Sequence, residues 1–313
     1  MRKTFVAATI FGLTSLTAAA GPFIESGLTA STMDVTRMVR TTVDTRLMES
    51  MTMERHDGGA VWLDLTGTKS EADHVGETSG FKNDIWGLNL GADIKKGDSF
   101  FGVVYSYAYS EGESRNNDEY QESEGDFFSV HIFGQQQFGN FAIAANGGWM
   151  HSHGEGRTAA TSTIVHSNTW TADFGVKLAL DVATVNVVPY AKVETTYIDT
   201  TKVNSGTRLD DIVVHQFPVG VNVSRVFEVG GWKVRPVVDA AFIKTAGDTQ
   251  VNYSYDNTAV SNIQWLNEDT LYRGQIGLTA YGEKGRLGVN YEYLGAGDGR
   301  AAHTIDLQAQ YIF

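Results

Sequence analysis

From Trp62 to Phe313 the chain returns repeatedly to strict two-residue alternation, and sorting residues by parity gives one apolar set and one polar or small set. A period of two belongs to extended strands, whose successive side chains point to opposite faces. The clearest stretch is 170–181. Trp170, Ala172, Phe174, Val176, Leu178 and Leu180 share one face, and Thr171, Asp173, Gly175, Lys177, Ala179 and Asp181 share the other. A packed core would not accept the charges of that second face unpaired. The same division recurs to the end of the chain, where Ile305, Leu307, Ala309, Tyr311 and Phe313 alternate with Thr304, Asp306, Gln308 and Gln310.

Twelve strands are predicted, near 60–69, 84–95, 99–111, 126–137, 140–153, 167–182, 185–199, 212–227, 232–246, 271–282, 286–295 and 302–313. An even number suits a closed single-chain bacterial barrel. The connectors alternate between tight turns, such as Lys96-Gly97-Asp98 and Phe138-Gly139, and longer loops, up to the stretch Gly247 to Thr270. Short periplasmic turns and long outer loops produce that rhythm. A soluble sandwich also alternates, but it needs no such rhythm and no aromatic girdle. Here Trp86, Tyr109, Trp149, Trp170, Tyr197, Tyr272, Tyr293 and Tyr311 sit near the ends of the apolar face, as interfacial girdles do. The expected fold over residues 58–313 is therefore an all-β transmembrane antiparallel barrel in the outer membrane, apolar outside and polar inside, with its long loops extracellular.

Bulk composition agrees only after this pattern is read. A hydrophobic share of 42% and a mean hydropathy of −0.20 resemble a soluble protein, but a barrel conceals its apolar surface by interleaving it with polar residues. The formal charge of −13 removes the basic footprint of a nucleic-acid binder. With no cysteine, neither a disulfide framework nor a thiolate site is available. Met1-Arg2-Lys3, the apolar run Thr4 to Leu16 and the small residues Ala18-Ala19-Ala20 read as a signal peptide over 1–20, cleaved after Ala20.

Residues 31–57 break the alternation. Met33, Met38, Val39, Val43, Leu47, Met48 and Met51 recur at three- and four-residue spacing, and Ser31 or Thr32 is positioned to cap the start. This predicts an amphipathic helix, with 21–30 before it as a linker or vestigial passenger. Arg37, Arg40 and Arg46 lie on its polar side, and the strands would offer Asp64, Asp93, Asp173, Asp181, Glu194, Asp239, Glu292 and Asp306 to a common interior, against Lys177, Lys192, Arg235, Arg273 and Arg286. A cationic helix inside an acidic lumen is electrostatically reasonable. The alternative is a linker helix outside the barrel.

The order of signal, short segment, helix and twelve strands resembles the C-terminal translocator domain of bacterial autotransporters. Phrases that carry the resemblance are Val61-Trp62-Leu63, Trp86-Gly87-Leu88-Asn89-Leu90-Gly91-Ala92-Asp93, Val188-Pro189-Tyr190-Ala191-Lys192-Val193-Glu194, and Val234 to Ala241 followed by Gly247-Asp248. The resemblance implies a monomeric barrel in outer-membrane lipid, delivered by periplasmic chaperones. It also implies folding by the barrel assembly machinery, which reads a terminal strand ending in an aromatic, here Tyr311 and Phe313. The helix would thread the lumen and whatever precedes it would be displayed outside, although Gly21 to Ala30 are too few for a folded passenger. The Asn-Asp pair at which some members cut their own helix is absent from 31–55, so no self-cleavage by that route is expected.

Other chemistry is weaker. His151-Ser152-His153 with Glu155 places two imidazoles on one strand face, a spacing suited to a metal. Asp210, Asp211 and His215 offer a carboxylate pair and a base for an outer-rim hydrolase. The acidic stretch Glu111 to Asp126, with Glu113, Asp118, Glu119, Glu122 and Glu124, lacks the ligand spacing of a calcium loop and reads as a solvated loop. The expectation is a non-enzymatic translocator that anchors or displays an N-terminal segment, without metal, cofactor or nucleic acid. A stand-alone porin or structural surface protein is the alternative. Protein extracted from the host's outer membrane is expected to have the intact mass of Gly21 to Phe313, and a much larger polypeptide would overturn the proposed start and cleavage site.

Overall fold

The twelve alternating segments all form strands, and each pairs antiparallel with its neighbour in sequence. The structure, a computed structural model, describes residues 21–53, 56–75, 78–115, 121–157, 162–203, 207–248, 250–255, 258–264, 270–296 and 299–313. The expected signal peptide lies outside the described residues.

The strands are β1 (Gly58–Val75), β2 (Thr78–Lys96), β3 (Ser99–Arg115), β4 (Glu122–Phe138), β5 (Phe141–Arg157) and β6 (Ser162–Leu178). They continue as β7 (Val185–Val203), β8 (Ile212–Ser224), β9 (Trp232–Gly247), β10 (Thr270–Tyr281), β11 (Gly285–Gly295) and β12 (Ala301–Ile312). The first and last strands close the ring, in register from Ala60 opposite Ile312 to Glu71 opposite Ala301. Closure removes the unpaired edge that an open sheet would expose.

Parity sorts the faces as expected. Trp86, Trp149, Trp170, Tyr272, Tyr293 and Tyr311 are exposed on the outside, whereas Asp64, Asp93, Glu194, Asp239, Glu292 and Asp306 are buried within. Asp181 is an exception: it is exposed in a short strand, Leu180–Val182, beyond the turn end of β6.

At one end the hairpins close with two-residue turns. Gly97 and Gly139 open two of these with φ of 58° and 61°, the left-handed value that a tight hairpin demands at its first turn position. Ala183 adopts φ 56° at the equivalent place despite its Cβ. At the other end β1 to β7 run on for 17–19 residues each, beyond the roughly 9–11 that a tilted strand needs to cross a bilayer.

These extensions correct two expectations. The acidic stretch after Glu111 is a continued hairpin over its described part, with Glu111 opposite Glu124 and Glu113 opposite Glu122. Asp118 and Glu119 lie outside the described residues. Within the long connector after Gly247, Gln250–Tyr255 pairs with Thr258–Gln264 on one side and with Thr207–Leu209 on the other.

Inside the ring runs one helix, α1 (Gly21–Thr52), about 48 Å long at ~1.5 Å per residue. It begins ten residues before the expected cap. Neither Ser31 nor Thr32 caps it: Ser31 is buried mid-helix, and the Thr32 hydroxyl donates to the Leu28 carbonyl at 2.9 Å. That bond back by one turn lets a buried hydroxyl sit inside a helix.

Inward-facing glycines make room for large neighbours. A Cβ at Gly91 would lie 2.0 Å from the indole of Trp62, which turns into the lumen. Gly91→Val is therefore expected to destabilise the folded barrel by about 1–3 kcal/mol through overpacking, read as a lower urea midpoint. An unchanged midpoint would show that the indole can move aside.

Candidate functional site

Between residues 27 and 49 nearly every side chain of α1 is buried; only Arg37, Asp44 and Thr45 are partly exposed. The helix is amphipathic, yet both of its faces are covered. Its apolar stripe of Val35, Met38, Val39, Val43 and Leu47 packs on Trp62, Ile85, Phe100, Val104, Phe127, Phe133 and Met150 from β1 to β5. This interior apolar patch escaped the parity reading. Its signal was present where two adjacent apolar residues interrupt alternation, at Phe100-Phe101, Val103-Val104 and Phe127-Phe128. One member of each pair faces out and the other receives the helix.

The polar stripe is held by charge. Arg40 forms a forked contact with Asp173, with Nη2 at 2.7 Å and Nε at 3.0 Å and 3.1 Å, and also donates to Thr196 Oγ1 and the Thr195 carbonyl, both at 2.8 Å. Arg46 donates to Asp93 at 2.6 Å and to Gln310 at 2.9 Å, and its guanidinium lies over the Trp62 ring at 5.7 Å. Arg37 is held more loosely, 3.7 Å from Glu292 and 3.6 Å from Asp34.

The helix is not simply cationic, because it also carries Asp34, Asp44 and Glu49. Cations of the wall answer them: Arg300 lies 3.5 Å from Asp34, Lys192 bonds Asp44, and Arg286 bonds Glu49. Helix and wall therefore exchange charges in both directions. Asp34, Asp44 and Glu49 were as legible as the three arginines and belong to the same interface.

The helix has one orientation. Leu28 and Ala30 pack with Ala72, Phe81 and Val165 near the long-hairpin end, while Arg46 meets Asp93 and Gln310 near the tight turns. Tyr311 and Phe313 lie at the turn end, 54% and 70% exposed on the outer face. The Phe313 amide closes the seam by donating to the Gly59 carbonyl at 3.0 Å.

The other candidates are not assembled. His151 shares a hydrogen bond with Asn168, and Glu155 accepts from Arg157 and Ser162. Ser152 points the other way, into a pair with Ser167. Among the described residues no cluster of three or more His, Asp or Glu is arranged to hold a metal ion. Asp211 accepts from the Tyr197 hydroxyl at 2.7 Å, His215 pairs with Thr195, and Asp210 is exposed, so no base and acid pair converges.

Fold and site together define a closed twelve-stranded antiparallel barrel whose lumen is filled by its own N-terminal helix. The model of the family described as Autotransporter beta-domain matches residues 61–293. The chain belongs to that family and is a translocator barrel of the type V, outer-membrane kind. Solved structures agree on the fold. The transport unit of the autotransporter AIDA-I from Escherichia coli superposes with a TM-score of 0.68 at 16% identity, over 86% of this chain and 97% of that one. The translocator domain of NalP from Neisseria meningitidis gives 0.63 at 8% identity, over 89% and 98%. The beta domain of Bordetella BrkA gives 0.61 at 12%, over 82% and 100%. A search of curated proteins found no match.

Replacing Arg40 by Ala leaves Asp173 without its cation, and removing one partner of a buried pair costs about 3–5 kcal/mol. The double variant Arg40→Ala with Asp173→Ala should lose clearly less, measured by urea unfolding. Equal losses would show that the pair does not hold the helix.

Proposed function

We propose that this protein spans the outer membrane, with the tight turns in the periplasm and the long hairpins outside, and that it anchors an N-terminal segment at the cell surface while α1 plugs the pore. The observation that carries this reading is a 32-residue helix, buried almost throughout between residues 27 and 49 and directed with its N-terminus toward the hairpin end. An outward apolar band bounded by aromatics supports insertion in lipid, since closed pairing leaves no backbone group unsatisfied there. On this reading residues 1–20 are a signal peptide and the helix begins the mature chain. The barrel is a monomer, and the exposed Tyr311 and Phe313 at the seam offer the terminal aromatic signal to the assembly machinery after chaperone delivery. Arg37, Arg40 and Arg46 lock the plug. The work is passive and needs no cofactor.

In planar bilayers the intact protein is expected to conduct only in small, rare steps, and deletion of residues 21–52 should give steady large ones. Equal conductance would sink the plug. Because the chain has no cysteine, Pro22→Cys gives a single label site, expected to react with an impermeant maleimide on intact cells. Labelling only after lysis would reverse the orientation.

A further inference from the structure

The helix leaves a polar cavity of about 40 Å³ on the side of the lumen opposite its apolar stripe. One water needs roughly 10–15 Å³ by this measure, so the space admits a few waters or one small ion. Four cations line it, Lys177, Lys192, Arg235 and Arg273, against three carboxylates, Asp44, Glu49 and Asp239.

The carboxylates are already engaged. Asp44 is bonded by Lys192, and Asp239 accepts from Arg273 at 2.9 Å, the Tyr190 hydroxyl at 2.7 Å and Asn222 at 3.2 Å. Glu49 is shared by Arg46 and Arg286. Lys177 and Arg235 are left with neutral acceptors only: Lys177 Nζ donates to Gln135 Oε1 at 3.0 Å, and Arg235 reaches Asn222 Oδ1 at 3.4 Å. Arg235 Nε has no acceptor at all. Both side chains are almost wholly buried, at 3% and 2% exposure, and among the described residues neither forms an ion pair. Carboxylates act on them only through space, Asp44 and Asp239 on Lys177 and Glu49 on Arg235, without touching either.

We propose that this cavity is a binding site for a small inorganic anion of the chloride class, held between Lys177 and Arg235 against the polar face of α1. The ion would give both cations a direct contact that the engaged carboxylates do not, and its size is the one the cavity admits. On the turn side a vestibule of about 730 Å³ shares Glu49 with the cavity and is lined by Lys233, Lys284, Arg46 and Arg286 together with Asp57 and Glu283. The bound ion would also fasten the plug, because a ligand that binds only the folded state stabilises it.

The test uses the full folded protein, helix included. Crystals soaked in sodium bromide should show a bromine anomalous peak within hydrogen-bond reach of Lys177 Nζ and the Arg235 guanidinium. In solution the melting temperature should be higher in sodium chloride than in sodium gluconate of equal ionic strength, and that difference should vanish in Lys177→Gln and Arg235→Gln. Wild-type crystals without a bromine signal in the cavity overturn the proposal even if the variants fail to fold. A chloride response that survives both substitutions overturns it as well.

Discussion

Everything in this molecule depends on the closure of β1 against β12. Twelve strands with a free edge would leave a row of backbone donors and acceptors unpaired, which hydrocarbon does not tolerate. Twelve residue pairs, Ala60 with Ile312 through Glu71 with Ala301, remove that edge. Once the ring is shut, each strand has only an inside and an outside, and the parity of the sequence acquires its meaning.

Closure then poses a second problem, because the ring encloses more space than its own inward side chains fill. The helix fills it, and the ring in turn makes the helix. Its sequence is rich in Thr and Val, which lose side-chain freedom in a helix, so a free segment of this composition would be weakly helical. Inside the lumen, hydroxyls bond back to carbonyls one turn earlier, as Thr32, Thr36 and Thr52 do, and charges find partners across the gap. The fit is lopsided. Contact is apolar and close toward β1 to β5 and looser toward β6 to β11, where Met33 and Met48 find apolar partners among charged neighbours, and the residual cavity lies on the looser side.

Strand number, order and facing were legible because a closed wall imposes them locally: successive residues of a strand must face alternately out and in. The same logic explains where legibility stopped. Past the apolar band the outward face turns charged, so Glu111, Glu113, Glu122 and Glu124 look like a loop although their backbones stay paired. The helix start was missed because capping rules assume an end in water, whereas here the hydroxyl of Thr32 is satisfied inside the helix and the chain is helical from Gly21. The histidine pair of β5 had plausible metal spacing, and cross-strand register sets His166 beside both rings, but His151 bonds Asn168 and Glu155 is taken by Arg157 and Ser162.

The sequence by itself determined a twelve-stranded wall, its two faces, its tight and open ends, and a helix with arginines to place. Only the tertiary structure decided which acid meets which base. Arg40 finds Asp173 and Glu49 finds Arg286 across separations of 133 and 237 residues. Alternation records which side of the wall a residue faces, a local property of two neighbouring peptides. Its height and its angle around the ring depend on register summed over every strand, and those become fixed only when the last strand meets the first.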